Sequence, residues 1–161
     1  MLTPEVVESA KRSVLCWLAT ADRSGTPNVS PKEIFAPVGE RHFAVANIAS
    51  PRTAGNIAEN GAVCLSFIDV FVQKGFKIGG TASILARTDP GFEQWARPLL
   101  GMAGDRFRIL SVIVIEATSV EPIVAPSYRF YPRQTTESSQ IEAAMRAYGV
   151  RPDRSRYGQG A

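Results

Sequence analysis

The chain has 161 residues, 45% of them hydrophobic and 20% charged, a composition that suits one globular domain with its own core. Its two cysteines and single histidine exclude a zinc cluster and a Ser-His-Asp or Cys-His mechanism. Net charge is +3, yet residues 1–122 hold 12 Lys/Arg against 12 Asp/Glu, and this neutral body argues against a dedicated nucleic-acid binder.

The charge excess lies beyond residue 122, in Arg129, Arg133, Arg146, Arg151, Arg154 and Arg156 against Glu137, Glu142 and Asp153. No apolar run is long enough to span a bilayer; residues 109–115 come nearest and contain Ser111. Acidic Glu5 and Glu8 and the lack of a signal-peptide pattern lead us to expect a cytoplasmic protein with no membrane partner.

Thr3-Pro4-Glu5 starts a helix to about Arg12, with Val6, Val7 and Ala10 on its apolar side. Residues 14–21 (VLCWLATA) read as a strand closed by the turn Asp22-Arg23-Ser24-Gly25. Residues 26–35 form its hairpin partner, where Pro27 and Pro31 call for an edge or a bulge. A turn at residues 38–41 leads to a strand at residues 42–47. Cys16 and Cys64 lie in apolar strands and read as buried small hydrophobes rather than a disulfide or metal pair.

The segment VANIASPRTAGNIAENGAVCLSF, residues 45–67, is the most informative. Ser50 stands at an N-cap position, Pro51 at a first helical position, and Arg52 and Thr53 in the first turn. Such a helix start leaves amides unpaired at the positive end of the dipole, and Arg52 adds a cationic fork that matches phosphate. Asn60-Gly61 ends the helix and a buried strand follows over residues 62–69.

Residues 75–87 form a long strand in which Gly79-Gly80 predicts a bend or a close approach. Asp89 and Pro90 are placed at the start of a helix carrying Phe92, Trp95, Ala96 and Leu99, followed by a loop at residues 101–104. Residues 106–121 read as the strand that completes a barrel. Residues 127–132 are expected to be extended, residues 135–148 helical, and residues 151–161 loose. Six strands joined by hairpins, with one helix inserted after the third, give a mostly β fold, a small antiparallel barrel with flanking helices. No G-x-G-x-x-G or Walker pattern follows any strand. A phosphate cradle without catalytic side chains is what a cofactor-carrying protein presents.

Three stretches, in this order, resemble the split-barrel FMN-binding proteins related to pyridoxamine 5′-phosphate oxidase. Asn28-Val29-Ser30-Pro31-Lys32 is similar to the strand whose Arg-x-Val-x-x-Lys motif supplies a lysine to the flavin. Residues 46–53 (ANIASPRT), with Asn56-Ile57 and Asn60, are similar to the loop and helix that hold the FMN phosphate. Gly75-Phe76-Lys77-Ile78-Gly79-Gly80-Thr81 is similar to the strand written Arg-Gln-Val-Arg-Ile-Glu-Gly in the oxidases. There are departures too. Pro51-Arg52-Thr53 stands for Ser-Arg-Lys, Gly75 for a flavin-contacting glutamine, and the C-terminal Trp-Arg and Arg-Leu-x-x-Arg pattern is missing, so oxidation of vitamin B6 is not carried over.

The resemblance implies a six-stranded antiparallel split β-barrel over residues 1–122, with a basic extension over residues 123–161 that packs on the barrel or a partner. It implies FMN as cofactor in the groove of a homodimer, and hydride or electron transfer with a small redox substrate or nicotinamide donor. Arg52 would clamp the phosphate, helped by the hydroxyls of Ser50 and Thr53. Lys32 would face the phosphate or the pyrimidine edge of the ring, Asn47 and Ser30 its polar edge, and Lys77 and Thr81 would contribute through backbone or side chain. A deazaflavin reductase, a haem-handling relative and a non-enzymatic flavin carrier are the alternatives within this fold.

Overall fold

A computed structural model describes residues 1–151. The elements run α1 (Pro4–Arg12), β1 (Cys16–Ala21), β2 (Pro27–Lys32), β3 (Phe35–Val38), β4 (His42–Asn47), α2 (Pro51–Glu59), β5 (Ala62–Asp69) and β6 (Lys74–Ala86). Then come α3 (Phe92–Ala103), a 3-10 turn (Gly104–Arg106), β7 (Ser111–Val124), α4 (Pro126–Phe130) and α5 (Glu137–Tyr148).

All seven strands form one antiparallel sheet in the order β2-β1-β5-β6-β7-β4-β3. The count is seven rather than six, because the expected strand over residues 26–35 ends at Lys32 and a separate β3 begins at Phe35. β2 and β3 are the two edges, yet only Glu33 and Ile34 lie between them. A flat seven-stranded sheet would hold its edges about 29 Å apart, at about 4.8 Å per strand. Three Cα steps cover at most about 11 Å. The sheet must therefore curl until its edges nearly meet, which makes it a barrel with an open seam. Pro27 and Pro31 sit on the edge strand, as their missing amides require.

The inner face of the sheet holds the main core, including Cys16, Leu18, Phe35, Phe43, Val45, Leu65, Phe67, Ile78, Ile113 and Ile115, with α1 and α2 closing it through Val6, Ala10 and Ile57. Alternate residues of β4 and β7 point outward, and there Ala44, Ala46, Val112 and Val114 meet Phe92, Ala96, Leu99 and Ala103 of α3. Because β4 and β7 are covered on both faces, they read as continuous apolar runs. The β6–β7 register shifts between Gly79 and Gly80, where the sequence called for a bend. At Gly75 a Cβ atom would lie 2.0 Å from the Phe67 carbonyl oxygen, so the position that answers to the oxidases' glutamine has no room for a side chain.

Several local expectations are corrected. Asp89 does not cap α3; its Oδ2 accepts from the Ala86 amide in a turn, and Gly91, at φ 84°, precedes the helix. The helix runs on to Ala103, because Ala103 continues its buried stripe, and Gly104 ends it at φ 56°. The last strand starts at Ser111 and extends to Val124. Residues 126–130 are helical rather than extended, with Pro126 suited to a first turn. In α5, Thr136 and Ser139 make a reciprocal capping box. The extension lies against the β5–β6 connection, where Tyr128 donates to the Val72 carbonyl at 2.9 Å and Lys74 pairs with Glu137 at 2.8 Å. The expectation for the segment after Arg151 falls outside the described residues. Cys16 and Cys64 are both free thiols, the first buried and the second half-buried.

Candidate functional site

Along β2 the residues Asn28, Ser30 and Lys32 alternate onto the inner face, and Val29 and Pro31 face outward. Lys32 therefore enters the protein at the seam and is only 7% exposed. Its Nζ donates to Ser30 Oγ at 3.1 Å and to Ser50 Oγ, the residue just before α2. Ser50 does not use its side chain to cap α2. Its hydroxyl ties the helix start to β2 instead, and the first-turn amides of α2 stay free of a side-chain cap. Among the described residues no carboxylate pairs with Lys32. Burial lowers the Lys32 pKa below the usual lysine value.

Beside this cation lies a cleft of about 240 Å³. One wall is Leu15 with Pro31, Lys32, Glu33 and Ile34; the other is Ala46, Ile48, Ala49 and Ser50 from the end of β4, with Phe107 at one side. The cleft lies at the seam, between the end of edge strand β2 with its two-residue link and the end of β4 with the loop into α2. Its polar lining is Lys32, Ser50 and exposed Glu33, and Leu15, Ile34, Ile48 and Phe107 form apolar walls.

Behind the cradle, a buried network anchors α2. Asn56 Nδ2 donates to Thr20 Oγ1 at 3.1 Å, and Asn28 Nδ2 reaches both Thr20 Oγ1 and Thr53 Oγ1 at 3.4 Å. Thr53, expected to face the ligand, is 1% exposed and turned into this network. Arg52 stands exposed on the first turn of α2, outside the residues that line the cleft, and has no ion pair among the described residues. Asn47 donates to Ser111 Oγ at 2.9 Å, and its buried Oδ1 has no partner among the described residues.

The structure thus brings together Ser30, Lys32 and Ser50, with Arg52 and Thr53 on the adjoining helix turn and Asn47 three residues before Ser50. Lys77 and Thr81 do not join them. Lys77 is exposed on the outer face of β6 and paired with Glu121 at 2.8 Å, and Thr81 is exposed further along the same strand. Sequence reasoning missed the apolar walls and the Thr20–Asn28 contact. The period-two spacing of Asn28, Ser30 and Lys32 was the signal that could have shown one polar face.

Residues 2–127 match the family described as Pyridoxamine 5'-phosphate oxidase. The chain belongs to that family. Among curated proteins no sequence matches. Solved structures share the fold. HupZ of Group A Streptococcus is 24% identical with a TM-score of 0.67, covering 78% of this chain and 96% of that one. An FMN-binding protein from Syntrophomonas wolfei is 16% identical with a TM-score of 0.62, covering 73% and 86%. HutZ, a haem storage protein from Vibrio cholerae, is 23% identical with a TM-score of 0.57, covering 76% and 94%. At these identities the likeness establishes the split-barrel fold. Among the described residues no helix is long and apolar enough to cross a membrane.

Proposed function

We propose that this family member is an FMN-binding flavoprotein whose seam and α2 start hold the cofactor's phosphate. The carrying observation is Lys32, a buried cation with hydroxyl partners and no carboxylate beside an uncapped helix start. A phosphate monoester supplies the missing negative charge and acceptors for the free amides, so the residues present fit it. Lys32 and Ser50 bind and orient the anion, Arg52 closes over it from solvent, and the Thr20–Asn28–Thr53–Asn56 network keeps the helix start in place. The apolar walls of the cleft exclude water. Bound FMN would supply hydride or electron transfer, with a small redox substrate or nicotinamide as the other reactant, and needs no protein acid or base for that step.

A homodimer belongs to the same proposal. The outer face of the β2-β1-β5 half carries exposed Val29 and Trp17, at 57% and 45%, beside small residues such as Ala19. Among the described residues no helix packs over these side chains, and a second copy would bury them. A haem reading is less well served by the residues. The only histidine, His42, stacks edge-on against Trp95 with ring centroids 5.2 Å apart, at the opposite end of β4 from the cleft.

The test is FMN titration of the wild type beside Arg52→Ala and Lys32→Ala. Loss of a charge-assisted contact should weaken binding by about 1.5–3 kcal/mol, roughly 10- to 150-fold. A wild type that ignores added FMN, or two variants that bind it as tightly as the wild type, would overturn the proposal.

A further inference from the structure

The chain has four lysines, and three of them are neutralised by carboxylates. Lys11 pairs with Glu8 at 2.6 Å, Lys74 with Glu137 at 2.8 Å and Lys77 with Glu121 at 2.8 Å. Lys32 alone is buried, and among the described residues its hydrogen-bond partners are the hydroxyls of Ser30 and Ser50, with Cys16 as its cross-strand neighbour. An ammonium in that position loses its water without gaining an opposite charge, so a neutral amine suits the surroundings better. Burial accordingly moves the Lys32 pKa down, while the hydrogen bond to Glu121 moves that of Lys77 up. A hydroxyl can donate to a neutral amine as readily as it accepts from an ammonium.

The neutral amine carries a lone pair, and the cleft leads from it to Leu15, Ile34, Ile48 and Phe107. We propose that Lys32 is a carbonyl-reactive amine, and that the cleft takes an aldehyde with a flat apolar body as a reversible imine on its Nζ. In the first step the nitrogen lone pair forms a C–N bond to the aldehyde carbon, and the carbonyl π pair moves to oxygen. The proton released from nitrogen passes to that oxygen through the Ser50 hydroxyl, which touches Nζ. In the second step the remaining proton on nitrogen goes to the hydroxyl oxygen, the C–O bond breaks to release water, and the nitrogen lone pair forms the C=N bond. Amine and aldehyde give imine and water, with no change of oxidation state and no further reactant. The inference stands apart from the flavin proposal. A phosphate selects the protonated form of Lys32, and an aldehyde selects the neutral form.

The test uses the full chain without added flavin, treated with benzaldehyde under mildly alkaline conditions, trapped with borohydride and mapped by peptide mass. We expect the reduced adduct on the Lys32 peptide to form faster than on Lys11, Lys74 or Lys77, since a lowered pKa raises the neutral fraction of the amine. Ser50→Ala should slow the Lys32 adduct and leave the other three sites unchanged. Lys32→Arg, which keeps a cation in the seam, should abolish the fast adduct. Labelling spread evenly over the four lysines, or a fast adduct that survives Lys32→Arg, would overturn the inference.

Discussion

Cys16 and Lys32 are partners across the β1–β2 pair, both buried on the inner face, and burial drives their titrations apart. The Cys16 thiol is pushed up to about 12 from 9.0, by loss of water more than Lys32 draws it down. Lys32 moves below 10.5 for the same reason. Burial shifts each side chain towards its neutral form, which disfavours a thiolate–ammonium pair.

The first prediction concerns alkaline stability. A raised thiol pKa gives stability that is complete below pH 9.0 and is lost as pH rises to about 12. Three units correspond to about 4 kcal/mol. Lys32 works in the other direction. Its folded pKa is depressed, so its burial penalty is full below that value and is relieved as pH climbs towards 10.5. Urea unfolding of wild type and Cys16→Ala across this range should show the wild type's advantage shrinking with pH. Two parallel curves would exclude the assignment.

Ligand binding should carry the same titration. A phosphate selects protonated Lys32, so above the lysine's lowered pKa binding must take up a proton. Affinity for FMN should fall by up to about tenfold per pH unit there. Riboflavin, which lacks the phosphate, is the control and should show a flatter profile. Equal slopes in fluorescence titrations of the two flavins would place Lys32 away from the phosphate.

Stability and binding separate in a second pair of variants. Asn56→Ala removes the shorter of the two hydrogen bonds to buried Thr20 Oγ1 and should cost about 1–3 kcal/mol in chemical unfolding. Exposed Arg52→Ala should change stability by no more than about 0.5 kcal/mol, leaving its effect to appear in flavin affinity alone.

Gly75 offers a test of the sheet. A Cβ added there meets the Phe67 carbonyl oxygen at 2.0 Å and the Ile68 Cα at 2.7 Å, both backbone atoms that cannot swing aside. Gly75→Ala should destabilise by about 1–3 kcal/mol or more. An unchanged melting temperature would show that the β5–β6 pair can move apart at this point.

How much could be read from the chain follows from where the signals are local. The ranges of β4 and β5 were legible to the residue, because turn residues precede both apolar runs and Asn47 and Asp69 end them. Ser50-Pro51 announced α2 in the same way. β3 was not legible, because Glu33-Ile34 carries no turn signature and Phe35-Ala36-Pro37-Val38 continues the preceding strand in composition. Only pairing with β4 separates it from β2. The site shows the same limit. Lys32 and Ser50 were each legible as candidates, but their contact spans 18 positions and depends on the curl of the sheet. The Thr53 hydroxyl, expected to help hold the phosphate, is bonded by Asn28 from another strand, a contact that spans 25 positions.

The Glu33–Ile34 link has a mechanical consequence. One wall of the cleft comes from the end of β2 and this link, the other from the end of β4 and the loop to Ser50, so a molecule seated between Lys32 and Ser50 acts as a rivet across the seam. Edge strands exchange their amide protons through small local openings. A ligand that bridges the seam should slow exchange in β2 and at the end of β4 together, although four strands stand between them in the hydrogen-bonded order.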